Sequence, residues 1–156
     1  MNKPIVALLS FCALTSIASA QSRNTNVRHV KPEGLTDSPR YSQAIEVKGG
    51  RIVFFAGQMP VDKEGKLVGR GDFRAQATQA YDNLMLALKA VGMDASNVVK
   101  LTMYVTNIPE TNAVHREVRA RYFKPGVPPP TATLVGVTSL ALDGQMIEVS
   151  AVAAGK

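Results

Sequence analysis

The side chains of this chain that could carry chemistry belong to few types. Its 156 residues include one cysteine, Cys12, and two histidines, His29 and His115. This set is too small for a disulfide framework, a Cys/His zinc site or an iron–sulfur cluster. Ser150 is not part of a recognisable Ser-His-Asp triad and does not lie on a strand-to-helix nucleophile elbow, so a serine nucleophile is not favoured. Arginine and hydroxyl side chains are therefore the main candidates for binding a ligand.

Four basic residues, Arg116, Arg119, Arg121 and Lys124, follow one another closely. The formal charge of +6 permits nucleic acid, an anionic membrane or acidic metabolites as partners and selects none. We interpret the cluster as a solvated helix surface and His115 as a surface histidine on the same face. The alternatives are anion binding by Arg116 and general-base chemistry by His115. Without interleaved exposed aromatic residues, the cluster does not favour nucleic-acid binding.

The first twenty residues have the pattern of a secretory signal peptide. Lys3 precedes an apolar run over residues 5–17, and Ala18-Ser19-Ala20 is a small-residue cleavage signal before Gln21. A helix of this apolar run spans about 20 Å, short of the roughly 30 Å hydrocarbon core of a bilayer, which makes a retained membrane anchor the weaker interpretation. We therefore expect a periplasmic or secreted protein that has no membrane contact in its mature form.

Beyond the signal peptide we expect a basic, flexible segment over residues 21–40 and one domain over residues 41–156. Cleavage near Ala20 also removes Cys12. The mature chain then has no cysteine, which suits an oxidising compartment.

Hydrophobic periodicity in the domain predicts the element order β-β-α-β-α-β-β. Gly49-Gly50 suits a hairpin turn between the first two strands. Asp72 is placed to cap a helix that ends near Gly92, and Pro109 fits the first turn of a second helix that ends near Phe123. The predicted strands cover residues 42–48, 51–56, 98–106, 131–138 and 145–153.

Two helices can cover only one face of a sheet of this width. The last strand has one uniformly aliphatic face, on which we expect the helices to pack: Ile147, Val149, Ala151 and Ala153. Its other face is mixed: Met146, Glu148, Ser150 and Val152. The strand over residues 51–56 is apolar on both sides. We therefore predict that the second face is buried in a homo-oligomer.

Several segments match a known family in their order and spacing. They are Tyr41-Ser42-Gln43-Ala44, Ala56-Gly57-Gln58, Asp82-Asn83-Leu84, Val98-Val99-Lys100-Leu101-Thr102, Arg121-Tyr122-Phe123, and Ile147-Glu148-Val149 with Ala151-Val152-Ala153. Together they resemble the Rid family (reactive intermediate deaminase, YjgF type) over about residues 36–154.

This resemblance implies a chorismate-mutase-like α+β fold in which one mixed sheet carries two helices on one face. It also implies a homotrimer with small-molecule clefts between neighbouring subunits. For the best-matching members it implies hydrolysis of enamines and imines to ketoacids and ammonia, without a metal or cofactor.

At two positions of the family's deaminase site, this chain departs from the pattern. In deaminating members an arginine two residues after a Pro pair holds the substrate carboxylate through two charge-assisted hydrogen bonds. Here Ala132 follows Pro129-Pro130 in that register, flanked by Thr131 and Thr133. A glutamate that would position water on the final strand aligns with Ser150.

At three other positions of the family's site, this chain keeps the family's residue, replaces it, or offers backbone groups to a ligand. The family's tyrosine is retained as Tyr41, its helix asparagine aligns with Arg116, and Gly57 can present backbone amides to a ligand. We therefore predict a Rid-family small-molecule-binding protein that does not act on simple 2-imino acids. Its predicted ligand-binding residues are Tyr41, Gly57, Arg116, Thr131, Ala132, Thr133 and Ser150.

Two further hypotheses remain. The first is an imine deaminase in which Arg116 supplies the anion-binding group. The second is a noncatalytic holdase-like or RNA-binding protein.

Overall fold

A computed structural model of the chain describes residues 26–124 and 126–156. The predicted signal peptide, residues 1–20, lies outside the described residues. The strands are β1 (Val27–Val30), β2 (Ala44–Val47), β3 (Arg51–Gln58), β4 (Val98–Val105), β5 (Thr131–Gly136) and β6 (Ile147–Gly155). The helices are α1 (Phe73–Ala90) and α2 (Ile108–Tyr122). Within the described part of the chain, no helix has the length and apolar character needed to cross a bilayer.

The main sheet has four strands in the order β3-β6-β4-β5. β4 and β5 run parallel, joined by α2 as the crossover helix, and β6 is antiparallel to both β4 and β3. β1 and β2 form a separate antiparallel pair. The fold is therefore α+β with two helices and a mixed sheet, which confirms the predicted class.

Both helices begin where the sequence predicts. The Asp72 carboxylate accepts a hydrogen bond from the Ala75 backbone N–H at 3.1 Å, which caps α1. Gly92 follows the helix with a φ of 72°, a left-handed conformation that glycine adopts without strain. Asn107 caps α2, and Pro109 lies in its first turn, where its missing N–H costs no hydrogen bond.

One face of the sheet carries the core. Ile147, Val149, Ala151 and Ala153 of β6 are buried against the helices, as predicted from their alternation. Leu84 and Val118 supply buried side chains from α1 and α2.

The predicted hairpin between the first two strands of the domain is wrong. β2 pairs with β1, and β3 pairs with β6. Gly49 and Gly50, both with positive φ, carry the chain from one sheet to the other, and a Cβ on Gly50 would lie 2.3 Å from the Gly155 carbonyl oxygen. β1 lies inside the segment 21–40 that we expected to be flexible, because four residues between polar and Pro/Gly-rich stretches give too short a pattern to predict a strand.

The opposite face of the sheet, called the open face below, has no helix over it within the described residues. Ile52 and Phe54 of β3 are 50% and 79% exposed, although their neighbours Val53 and Phe55 pack against the core. Large apolar side chains exposed side by side on a sheet are typical of an interaction surface.

We expect Leu84→Ala to lower the free energy of unfolding by about 3 kcal/mol, because Leu84 is fully buried and its truncation leaves a cavity. Leu86→Ala on the same helix is the matched control. Leu86 is 65% exposed, so its truncation is expected to change stability by less than about 0.5 kcal/mol. Urea unfolding at fixed protein concentration measures both, and equal losses would contradict the described packing of α1.

Candidate functional site

Strand alternation separates the predicted site residues of β5 onto two faces. Ala132 is in register with Leu101 of β4, and its side chain packs against the hydrophobic core. Thr131 and Thr133 therefore project to the open face. The position at which the resemblance leads us to expect a carboxylate-binding arginine thus holds a small apolar side chain directed towards the helices.

Three hydroxyl side chains form a row across the open face. Ser150 of β6, Thr102 of β4 and Thr133 of β5 are consecutive partners in the sheet register. Thr131, at the start of β5, donates its hydroxyl proton to the Val99 carbonyl at 3.0 Å. Thr133 is exposed and Ser150 half-buried, so this row offers neutral hydrogen-bonding groups to a ligand or to a neighbouring copy.

Tyr41 lies at one corner of the sheet, where the chain segment before β2 is attached to the residues before β5. The Ser42 backbone N–H donates to the Pro130 carbonyl at 3.1 Å, and the Ser42 hydroxyl donates to the Pro129 carbonyl at 2.6 Å. His29 Nδ1 is 2.8 Å from Ser42 Oγ and must be the donor there, because the serine proton is already directed to Pro129. Ser42 is therefore a structural hydroxyl and is not prepared as a nucleophile.

Arg116 and Arg119 line a cavity of about 680 Å³ beside this corner, between α2 and the residues before β5. Arg116 is exposed. Arg119 is half-buried: its Nη1 donates to the Arg40 carbonyl at 3.0 Å, and its Cζ is 5.4 Å from the centroid of the Phe123 ring. Burial lowers the pKa of the Arg119 guanidinium from its usual value.

The interpretation of the basic cluster as a solvated surface is thus wrong for Arg119. It holds for Arg116 and Arg121, which are exposed, and Arg121 pairs with Glu117 at 3.2 Å. At 3.6 residues per turn, Arg119 and Arg121 lie on opposite flanks of the inward face of α2, so their burial depends on what packs over each. Arg40 and Phe123 contact Arg119, whereas Arg121 pairs with Glu117.

The interpretation of His115 as a surface residue is also wrong. His115 is 3% exposed, shares a 2.9 Å hydrogen bond with the hydroxyl of Tyr81, and stacks on its ring at 6.0 Å between centroids. Burial, and next the charge of Arg119, lower the pKa of His115 to about 4. A neutral, buried imidazole is unsuited to the role of an accessible general base. Thr111, His115 and Val118 are separated by steps of four and three residues, the spacing of one helix face. This spacing is the signal that could have predicted the burial of His115.

A second corner of the sheet was missed by the sequence analysis. Gly57, near the end of β3, lies against the side chain of Glu148 on β6; a Cβ on Gly57 would be 1.9 Å from Glu148 Oε1. Glu148 Oε2 also accepts a hydrogen bond from Gln145 Nε2 at 3.3 Å. The final strand therefore keeps a carboxylate on the open face, two residues before Ser150.

The two corners are far apart in one chain. Thr131 is in register with Lys100, and Glu148 with Tyr104, so the two positions are separated by two strand spacings and four residues. With strands about 4.8 Å apart and a rise of about 3.3 Å per residue, this is a separation of about 16 Å. One protomer therefore does not bring Tyr41, Arg116 and Thr131 together with Gly57 and Glu148.

Comparison with known proteins decides the family. The family model described as "Endoribonuclease L-PSP" matches residues 34–155. The chain belongs to the Rid (YjgF/RutC) family. Among curated Rid-family relatives, Protein DfrA of Myxococcus xanthus is 40% identical over 113 residues, which cover 72% of this chain and 83% of the relative. The human 2-iminobutanoate/2-iminopropanoate deaminase is 35% identical over 113 residues, covering 72% of this chain and 78% of the relative.

A solved structure shows the same Rid fold. The Rid-family protein YyfB of Yersinia pestis, described as of unknown function, superposes with a TM-score of 0.74 and 34% sequence identity, over 83% of this chain and 98% of that one. Some Rid relatives are thus named as deaminases and others have no stated activity. Within the described residues, no group of three or more His, Cys, Asp or Glu side chains is placed to hold a metal ion.

We expect the stability of the protein to fall more steeply between pH 7 and pH 5 than that of a His115→Gln variant. The pKa of His115, about 4 in the folded protein, is below the usual unfolded value of about 6.5, so the unfolded state binds the proton first as pH falls. The contribution of neutral His115 to the free energy of unfolding is present above about pH 6.5 and is lost towards pH 4. Between pH 7 and pH 5 this contribution falls by about 2 kcal/mol. Urea unfolding of both proteins at the two pH values measures it. Identical pH dependence would show that His115 titrates normally and is not buried.

Proposed function

We propose that this Rid-family protein is exported, and that it binds a small molecule in clefts formed where neighbouring copies of a homotrimer meet. The observation that carries the proposal is the separation of the two corners by about 16 Å on one protomer. A neighbouring copy that places its Gly57–Glu148 corner beside the Tyr41 corner would supply the missing half of the site. Each cleft of a closed, head-to-tail assembly would then contain one corner from each of two subunits.

The open face supports this assembly. Phe54 and Ile52 expose apolar surface on β3, next to Val152 of β6, while the helices cover only the other face. Burial of this surface against a second copy would remove it from water at roughly 25 cal/mol per Å² of apolar area. The half-buried hydroxyls of Ser150 and Thr102 would be available for hydrogen bonds in the same interface.

The ligand of this cleft is proposed to be something other than a simple 2-imino acid. The position aligned with the family's carboxylate-binding arginine is Ala132, which has no polar side-chain atom and packs against the core. Thr131, Thr133 and Ser150 offer neutral hydroxyl groups on the open face, opposite to the side chain of Ala132. A small carboxylate such as that of an imino acid would therefore have no charged partner from β5.

One observation favours imine hydrolysis as a second candidate. Glu148 places a carboxylate on the open face, and Arg116 lines the cavity at the other corner, so a cleft between copies would contain both an acid and a cation. In such a cleft Arg116 would hold the substrate carboxylate while Glu148 oriented the water that adds to the C=N carbon. Collapse of that adduct would release ammonia and leave a ketoacid.

The charge distribution gives less support to a nucleic-acid partner. Arg119 is half-buried and Arg121 is paired with Glu117, so the four basic residues of α2 and its end do not present one continuous charged surface.

The assembly is tested by Phe54→Asp. We expect the wild-type chain to have the mass of three copies in light scattering at micromolar concentration, and Phe54→Asp to shift it to a monomer, because the new charge would be buried in the interface. Leu86→Asp is the control: Leu86 is 65% exposed on α1, on the side of the sheet away from the open face, and this change should leave the mass unaltered. A wild-type monomer would overturn the proposed cleft.

The ligand class is tested with imines generated in place from amino acids by an amino-acid oxidase. We expect the wild-type protein to accelerate ketoacid formation from the alanine-derived imine by less than about twofold, because no β5 cation binds its carboxylate. Clear acceleration that is lost in Arg116→Ala, and retained in Arg121→Ala as the matched control, would instead establish the deaminase candidate.

A further inference from the structure

Arg119 has one edge of its guanidinium without a partner. Nη1 donates to the Arg40 carbonyl, but Nε and Nη2 are shielded from solvent and have no hydrogen-bond partner among the described residues. Buried donors without a partner are rare in folded proteins, and the explanations for them include a bound water or ion, local strain and a functional role. Arg119 therefore has hydrogen-bonding capacity that residues 26–124 and 126–156 do not use.

The two free donors are the pair that a carboxylate recognises. The Nε–H bond and one Nη2–H bond of a planar guanidinium point in the same direction, and a carboxylate accepts both through its two oxygens. The unpartnered edge of Arg119 thus matches an anionic group with two adjacent oxygen acceptors.

The surroundings leave the positive charge of Arg119 uncompensated. No carboxylate of the described residues forms an ion pair with it; the groups near it are the hydroxyl of Tyr81, the neutral imidazole of His115 and the positively charged Arg40. Desolvating a cation without a counter-ion is unfavourable, and an anion at this edge would offset that cost.

The adjoining cavity has apolar and charged side chains in its lining. Its apolar part includes Phe123, Val127, Pro128 and Met85, and Val127 is 42% exposed. Its charged part is four cations and one carboxylate: Arg40, Arg116, Arg119, Lys124 and Asp94. A ligand held at Arg119 through a carboxylate would therefore place an aliphatic or aromatic body against Phe123 and Val127.

We propose that Arg119 binds the carboxylate of a ligand whose apolar body occupies this cavity, so that the protein takes apolar carboxylates larger than simple 2-imino acids. The inference rests on the proposed small-molecule cleft and identifies the class of ligand in it. Because the Nε edge is shielded, binding also requires the Arg119 side chain or the backbone at Arg40 to shift and admit the carboxylate.

The test measures the binding of three probes to the full protein by titration calorimetry: phenylacetate, its uncharged analogue phenylacetamide, and acetate. We expect phenylacetate to bind at least tenfold more tightly than phenylacetamide, which lacks the charge, and at least tenfold more tightly than acetate, which lacks the apolar body. This comparison uses only the wild-type protein, so it does not depend on the folding of any variant.

Variants then assign the charge to Arg119. We expect Arg119→Met to weaken phenylacetate binding at least tenfold and Arg119→Lys to weaken it less, because lysine keeps the charge but loses the paired donors. Arg121→Met, on the same helix and on the surface, should change it by less than twofold. Circular dichroism and light scattering on each variant check that the fold and the assembly are intact.

The outcomes separate this inference from the proposed function. Equal affinity for phenylacetate and phenylacetamide, unchanged affinity in Arg119→Met, or no phenylacetate binding by an intact trimer would overturn the role of Arg119 and leave the intersubunit cleft standing. A monomeric wild-type protein in the same samples would overturn the cleft itself, whatever it binds.

Discussion

Strand alternation, together with helices on only one face of the sheet, is the constraint on which the rest of this structure depends. Side chains of β4, β5 and β6 that face α1 and α2 form the core, and Ala132 belongs to that set. The other set, which includes Ser150 and Thr133, faces away from the helices together with the exposed Phe54. The core is therefore packed within one chain, whereas the open face and the site residues along it are left half-buried or exposed.

This division explains why the candidate site has two parts. The attachment of Ser42 to Pro129 and Pro130 holds Tyr41 beside the start of β5, and the close approach of Gly57 to Glu148 defines the opposite corner. Arg119 adds a desolvated cation to the first corner, where the strand itself provides none. In the proposed site, positive charge would reach the ligand from α2 and not from β5.

The sequence predicted the parts of the fold that depend on local chemistry. Asp72 and Pro109 mark the starts of the helices because capping and ring geometry act within one turn. The predicted pairing of β2 with β3 was wrong because partner choice depends on contacts distant in sequence. The burial of Arg119 was misjudged for a related reason: a polar residue at the boundary of a helix face is buried or exposed according to what packs over it. The burial of His115 was misjudged although its spacing from Thr111 and Val118 places it on the inward face of α2. Glu148 was not predicted as a site residue because its position in the site depends on its contact with Gly57, which belongs to another strand.

The central claim is that the two corners meet between copies and not within one chain. Thr131→Cys and Glu148→Cys, combined in a Cys12→Ser background that has no other cysteine, place one thiol at each corner. A bismaleimide with a span well under the separation of about 16 Å should then link chains to one another, giving covalent dimers and trimers on a denaturing gel. Either single-cysteine protein should remain monomeric on the gel. Monomer alone from the double variant, in a sample that light scattering shows to be trimeric, would contradict the account.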